Sequence, residues 1–525
     1  MPRILVSDPI ADEGIKLLGT YADVDVKLGL DHDELEACIG EYDALVVRSE
    51  TKATADIIEA GVRLQVIGRA GVGVDNIDLE AATLNGIFVV NAPTGNTFAA
   101  AEHTIALMLA LARNIPQAND SVRRGEWKRS SFTGIEVRNR TLGVIGLGKV
   151  GSEVVKRAKA LQMKIIASDP FVSREYADQL GIDLVELPEL FGSADFICIH
   201  TPLTKTSRGL IGERELSMVK PTVRILNTAR GGLIDEEALY RALQEGRVAG
   251  AALDVFSQEP PGDIPLLKDD RVIVTPHLGA STNEAQTEVA IEVAEEVISV
   301  LKGKPARYIV NAPVVLPETQ AVLAPYIDVA NYSGRLATQL SEGQIRSISL
   351  GFDGEITNYD TSILRSACLM GLLAPISDEK VNLVNAELLA KKRGLKLIEQ
   401  KRSTSEQYNS LITVEIETSQ GKTVISGTYM RSATHIVRVD DYWIDIVPSG
   451  RYMLFTDHED KPGMIGSVGT ITGKHDINIG FMEVGRLSPR GRATMILGLD
   501  DNVPQVALEE IKSLVNVFSV KVVYL

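Results

Sequence analysis

Arg230, Glu259 and His277 each stand just past a short, mostly apolar run. Ile225-Leu226-Asn227-Thr228-Ala229 leads into Arg230, Asp254-Val255-Phe256-Ser257-Gln258 into Glu259, and Val274-Thr275-Pro276 into His277. The three residue types complement one another. An imidazole takes a hydroxyl proton near neutral pH. A carboxylate beside it fixes its tautomer and favours its charged form. A guanidinium fork holds a substrate carboxylate and polarises a developing carbonyl. Such a set suits the removal of hydrogen from a secondary alcohol, provided that something accepts the hydride.

Residues 141–151, Thr-Leu-Gly-Val-Ile-Gly-Leu-Gly-Lys-Val-Gly, offer the site for an acceptor. Leu142, Val144 and Ile145 form a buried-strand run, Gly146, Gly148 and Gly151 fit G-x-G-x-x-G, and Ser152 to Leu161 continue at helical spacing. This is the context of a dinucleotide fingerprint. Gly146 allows the tight turn, Gly148 lets the backbone approach a pyrophosphate, and Gly151 lets helix and strand pack closely. The helix amino terminus presents unpaired N–H groups and a partial positive charge to the phosphates. Asp169 follows a second strand, Lys164–Ser168, close to the ~20-residue offset of an acid that binds the ribose hydroxyls. Its carboxylate repels a 2′-phosphate, and Pro170-Phe171 supplies no arginine to hold one, so the expected cofactor is NAD. The alternative is a glycine-rich turn with no ligand. His103 and His200 lack the company that His277 has; His200 is expected to support the cofactor pocket.

These groups need strand ends to carry them. From residue 1 to about 95, strands Ile4–Ser7, Asp23–Lys27, Ala44–Arg48, Val66–Arg69 and Phe88–Asn91 alternate with helical stretches, which implies a parallel sheet. From about 98 to 285 the alternation repeats, with strands Phe196–His200, Arg224–Asn227, Gly250–Asp254 and Val272–Thr275. The fold class expected is α/β: two doubly wound Rossmann-like domains with a cleft between them, then an α+β domain and a ferredoxin-like domain. A long helix over 281–302, ended by Gly303-Lys304-Pro305, should leave the second domain and pack back on the first. The domains expected are 1–97 with 286–315, 98–285, 316–450 and 451–525. In the third, helices are expected over 326–340, 359–373 and 382–393, and strands over 345–352, 411–418, 423–430, 434–439 and 442–447.

The chain has 525 residues, more than one core can organise, and a net charge of −16. That field repels phosphate polymers, so no nucleic-acid partner is expected; a small anion needs only a few local arginines. Cys38, Cys198 and Cys368 are scattered and suggest neither a disulfide framework nor a metal site. With no signal peptide and no apolar run long enough to span a bilayer, a cytoplasmic setting and no membrane partner are expected.

The segments Gly146–Gly151, Asn227–Gly232, Asp254–Pro260 and Thr275–Thr282 give the chain a specific resemblance to the D-isomer-specific 2-hydroxyacid dehydrogenases. The resemblance extends over essentially the whole chain. It implies Arg230 as substrate and cofactor anchor, Glu259 as the histidine's partner and His277 as acid/base. It implies NAD contacts at Gly146, Gly148, Lys149, Val150, Gly151, Asp169, Thr201, Thr228, Ala229, Arg230, Asp254, His277, Leu278, Gly279 and Ala280. The segments Val47–Thr51, Gly68–Gly71 and Asn91–Asn96 match as well, and imply substrate contacts at Arg48, Arg69 and Asn96. Val72 stands where some relatives have a threonine. The resemblance further implies that basic residues in Trp127-Lys128-Arg129 reach the substrate phosphate across a dimer interface. The activity implied is oxidation of a small phosphorylated 2-hydroxy acid, 3-phospho-D-glycerate, to 3-phosphooxypyruvate at the start of serine synthesis. A reductase of glyoxylate, hydroxypyruvate or 2-oxoglutarate, and a non-catalytic NAD sensor, are the alternatives.

The last unit resembles an ACT domain, a module that pairs across subunits and binds amino acids at the interface. His458 and Asn478 match residues that hold serine in inhibited relatives, and Asp460 replaces an asparagine. L-serine as allosteric inhibitor and a homo-oligomer, dimer or tetramer, are therefore expected. The third unit resembles an extra domain that takes a second anion, with Arg431, Arg438 and Arg451 as candidates by type.

Overall fold

A computed structural model describes residues 1–304, 306–313, 317–449 and 451–525. Pro305, where the long helix is expected to end, the domain boundary expected between 315 and 316, and the boundary residue 450 lie outside the described residues.

Among the described residues the apolar runs become four sheets. The first is all parallel and joins β1 (Arg3–Val6), β2 (Asp23–Val26), β3 (Ala44–Val47), β4 (Val66–Arg69) and β5 (Phe88–Asn91) in the order β2-β1-β3-β4-β5. The second, also parallel, holds β6 (Thr141–Ile145), β7 (Lys164–Ser168), β8 (Asp183–Leu184), β9 (Phe196–Ile199), β10 (Arg224–Asn227), β11 (Gly250–Leu253) and β12 (Val272–Val274). Its order, β12-β11-β10-β9-β6-β7-β8, reverses direction between β6 and β9, and ligands bind at such a switch point. The strands are near-continuous Val/Ile/Leu/Ala because helices cover both faces.

Two helices tie these sheets together. Thr97–Arg113 leaves the loop after β5 and packs Leu107, Met108 and Leu111 into the core of the second sheet. Asn283–Leu301 returns, and its Val289, Val293 and Val297 join Ile4, Val46, Val66 and Val90 in the core of the first. The return expected from the sequence is what the chain does.

The third sheet comprises β13 (Ile345–Gly354), β14 (Lys396–Arg402), β15 (Ser410–Thr418), β16 (Lys422–Met430), β17 (Ala433–Val439) and β18 (Tyr442–Ile446), in the order β14-β13-β15-β16-β17-β18. Helices Pro317–Leu340 and Ser362–Leu373 share its core. Strand β14 was not expected: Lys396-Leu397-Ile398-Glu399-Gln400-Lys401-Arg402 is an exposed, charged edge, and it is held as a strand by parallel pairing with β13. The helix expected over 382–393 is confined to Ala386–Lys392, because Asn382 and Asn385 form a hydrogen-bonded turn before it. The fourth sheet orders β19 (Tyr452–Glu459), β20 (Ile479–Arg486), β21 (Arg492–Leu499) and β22 (Val517–Tyr524) as β20-β21-β19-β22, all antiparallel. With helices Met464–Lys474 and Gln505–Lys512 this is the ferredoxin-like βαββαβ arrangement.

Candidate active site

Strand ends from the first two sheets face a shared cavity of about 570 Å3, lined by Arg48, Arg69, Asn96, Arg230, Glu259 and His277 among others. The catalytic and substrate residues expected from the sequence are thus brought together. His277 Nδ1 lies 2.8 Å from Glu259 Oε2, and the other carboxylate oxygen, Oε1, accepts the Phe256 amide at 3.1 Å. The carboxylate is therefore held from behind while it orients the ring. His277 adopts φ 56°, a left-handed backbone that a non-glycine residue keeps only when its surroundings enforce it. Here its N–H donates to the Asp254 carbonyl at 2.9 Å.

Asp254 has no exposed surface and is fully engaged. Oδ1 accepts the Thr275 hydroxyl at 2.5 Å and the Leu278 amide at 2.7 Å, and Oδ2 accepts the Gly279 amide at 2.9 Å. His103 Nε2 lies 3.1 Å from Oδ1. Burial pushes the Asp254 carboxyl up, but the donors from His103, Thr275 and Leu278 outweigh it and leave the group below its ordinary value. His103, read from sequence as lacking company, has two partners; they lie far along the chain, where segment-level reading does not reach.

Arg230 is turned by its own loop. Asn227 Nδ2 donates to the Arg230 carbonyl at 2.8 Å, Asn227 Oδ1 accepts the Ala229 amide, and Arg230 Nη1 donates to the Ala229 carbonyl. Asp75, on the other side of the cleft, lies 3.7 Å from Arg230 Nε. Arg69 Nε donates to the Arg48 carbonyl at 3.2 Å. Burial, then the neighbouring Arg230, pushes the Arg69 guanidinium down to about 10, which still leaves it charged at neutral pH. Glycines make room for these cations. A Cβ on Gly71 (φ 152°) would lie 1.8 Å from Arg69 Nη1, and one on Gly73 would lie 2.5 Å from Arg230 Nη2. Sequence reading missed Asp8, a buried carboxylate that accepts the backbone amides of Arg48, Glu50 and Thr51 and so holds the Arg48 loop. It also missed Asn76, which donates to the Arg48 and Thr51 carbonyls. The signal available was only their place in the loops after β1 and β4.

The glycine turn fits a dinucleotide. Helix Lys149–Ala160 opens at Gly148, where among the described residues nothing lies within 4 Å of an added Cβ. A Cβ on Gly151 would sit 2.0 Å from the Gly146 carbonyl oxygen, the close helix–strand approach the motif serves. Asp169 Oδ2 accepts the Leu147 amide at 2.8 Å and Oδ1 accepts the Phe171 amide at 2.9 Å, which fixes the carboxylate at the turn with lone pairs to spare. Thr201 Oγ1 and His200 Nε2 are buried with no protein partner among the described residues, beside the turn that Gly146 makes. The orphan polar atoms beside the glycine turn, together with the open helix amino terminus at Gly148, fit a dinucleotide there. Burial alone pushes His200 down to about 4. Lys149 and Val150 start the helix, with the Lys149 ammonium 5.5 Å from the Tyr308 ring centre. Thr228, Ala229, Leu278, Gly279 and Ala280 lie in the loops that carry Arg230 and His277.

The expected effector residues are not brought together within one chain. The buried His458 is the last but one residue of β19 and Asp460 follows the strand, with Asp460 Oδ2 accepting the Arg490 amide. Asn478 precedes β20 and donates to Asp500 at 2.6 Å. Ile479 and Tyr452 both pair with Leu499, so Asn478 lies at the opposite end of the sheet, about 23 Å away at the ordinary strand rise. Trp127 is exposed and Lys128 pairs with Glu126 at 3.0 Å, away from the cavity. Arg438 lines a polar trough on the open face of the third sheet, which Arg431 and Arg451 do not reach.

Known proteins resemble the chain in its separate parts and over nearly its full length. Residues 105–279 match the family described as D-isomer specific 2-hydroxyacid dehydrogenase, NAD binding domain. Solved neighbours share the two-domain part. TT0316 from Thermus thermophilus is 33% identical with a TM-score of 0.55, covering 59% of this chain and 99% of that one. A D-lactate dehydrogenase from Aquifex aeolicus, complexed with NAD and lactic acid, is 30% identical with a TM-score of 0.52, covering 57% and 96%. Further along, residues 322–440 match the D-3-phosphoglycerate dehydrogenase intervening domain and 452–516 the ACT domain. Over nearly the full length, the D-3-phosphoglycerate dehydrogenases of Synechocystis sp. (48% identical, 97% of this chain and 92% of that protein) and Methanocaldococcus jannaschii (46%, all of both) align with it. The chain belongs to the D-3-phosphoglycerate dehydrogenase family, a branch of the 2-hydroxyacid dehydrogenases with an NAD-binding domain.

Proposed function

We propose that the protein oxidises 3-phospho-D-glycerate to 3-phosphooxypyruvate with NAD. The observation that carries this is the His277–Glu259 pair at 2.8 Å, facing a cavity that also holds three guanidiniums. When bound at the glycine turn, NAD supplies the hydride acceptor. Glu259 accepts from His277 Nδ1, which leaves Nε2 to take the substrate hydroxyl proton. Arg230 anchors the substrate carboxylate and stabilises negative charge on the developing carbonyl oxygen. Arg48, Arg69 and Asn96 bind the remaining oxygens; a phosphorylated acid carries the charge that such a cluster of cations suits, and lactate or glycolate does not.

The test is NAD reduction, followed by near-ultraviolet absorbance at alkaline pH with the keto product trapped. Turnover of 3-phosphoglycerate but not glycolate is expected. Turnover of glycolate alone would select another hydroxyacid as substrate, and no turnover of any hydroxy acid would select an NAD-sensing protein.

The division 1–97 with 286–315 (substrate), 98–285 (NAD), 316–450 (intervening) and 451–525 (ACT) follows the four sheets. Among the described residues no helix is long and apolar enough to cross a membrane; a cytoplasmic setting is part of this reading. For the ACT domain the reading is L-serine inhibition in a homo-oligomer, dimer or tetramer. His458 and Asp460 of one copy would meet Asn478 of another, since one copy separates them along its sheet.

A further inference from the structure

One helix touches both loops that carry the working groups. Thr97–Arg113 begins directly after Asn96. On its second turn, His103 Nε2 lies 3.1 Å from Asp254 Oδ1 and 3.2 Å from Thr275 Oγ1. Asp254 in turn accepts the Leu278 and Gly279 amides, and the Asp254 carbonyl accepts the His277 amide. The next residue, Thr104, donates its hydroxyl to the Ala100 carbonyl at 2.8 Å and so accepts from the Thr228 hydroxyl at 2.7 Å. Thr228 lies two residues before Arg230, and both threonines are buried.

Successive residues of a helix point about 100° apart, so His103 and Thr104 reach two different loops from a single rigid element. We propose that His103 and Thr104 are positioning residues. His103 sets the loop of His277 through Asp254, and Thr104 sets the loop of Arg230 through Thr228. The separation of base and guanidinium is thereby fixed by the same helix that starts at Asn96. Asp254 gains a clear role: its carboxylate is a junction with four protein donors. The left-handed backbone of His277 is then maintained from the side away from substrate.

This rests on the reading of His277 and Arg230 as the working groups. The wild-type rate with NAD and 3-phosphoglycerate is therefore measured alongside: an inactive wild type overturns that reading, whereas an active one leaves the variants to judge the helix. His103→Ala removes a donor to a charged acceptor and should lower kcat about tenfold. NAD affinity, followed by NADH fluorescence, should fall less than kcat, since the glycine turn is untouched while the loop of Asp254, Leu278 and Gly279 loses its support. His103→Gln, which restores an N–H at similar reach, should recover most of the rate. Thr104→Val removes a neutral bond and should raise KM for 3-phosphoglycerate about fivefold with kcat less affected, and Thr104→Ser should restore it. The threonine pair carries the test if His103→Ala does not fold. An unchanged kcat in His103→Ala, equal losses in His103→Ala and His103→Gln, or a Thr104→Val defect that serine does not repair overturns the proposal.

Discussion

Gly148→Ala separates the cofactor from the fold. Gly148 has φ −63° and ψ −168°, a backbone open to any L-residue, and a Cβ there meets nothing within 4 Å among the described residues. The substitution should therefore leave stability within about 0.5 kcal/mol, as for a surface change away from special features. If a pyrophosphate approaches the backbone at the helix start, the methyl crowds that ligand alone. Crowding by one methyl in a tight site costs about 1–3 kcal/mol, which is roughly 5- to 150-fold in Kd. Gly151→Ala is the contrast: its Cβ would lie 2.0 Å from the Gly146 carbonyl oxygen, so helix and strand must part whether or not cofactor is present. It should lower the melting temperature and NAD affinity together. Thermal unfolding without nucleotide and fluorescence titration with NADH read the two effects separately. A Gly148→Ala protein that binds NADH as tightly as wild type would refute the placement of the pyrophosphate at this helix.

His277→Ala should abolish turnover while NADH fluorescence titration still shows binding; retained turnover would put the base elsewhere. His200 is neutral when folded, with its pKa pushed down to about 4 by burial, against about 6.5 when unfolded. The unfolded chain therefore binds the extra proton between those values, and stability falls as pH drops through that window, by about 2 kcal/mol at pH 5. Chemical denaturation of His200→Asn across pH 4 to 7 should show a flatter acid fall; an identical slope refutes the assignment. L-serine should slow wild-type turnover, and Asn478→Ala should relieve that inhibition with the uninhibited rate unchanged; inhibition that persists in the variant moves the effector site.

Strands buried on both faces were legible because a parallel sheet needs apolar side chains in succession: Val66–Arg69, Phe88–Asn91 and Arg224–Asn227 fall where the runs place them. The glycine spacing and the order Arg230, Glu259, His277 were legible because each chemistry demands a particular residue type at a strand end. Strand β14 was not, since its conformation comes from pairing with β13 rather than from its own charged residues. The supports of the site were hidden for a similar reason. Asp8 acts on Arg48, Glu50 and Thr51, and His103 acts on Asp254 and Thr275. A carboxylate or an imidazole acquires its role from partners that only the folded chain delivers. The residues expected to bind an effector show the converse. His458, Asp460 and Asn478 each match by type, and the antiparallel register of β19, β21 and β20 still sets them apart.

That separation has a consequence for control. Sensing would belong to the assembly rather than to the polypeptide, so feedback and quaternary association would share one equilibrium. Dilution below the point where copies part would yield an enzyme that still turns over but is deaf to its end product, and the effector, by mass action, would hold the copies together.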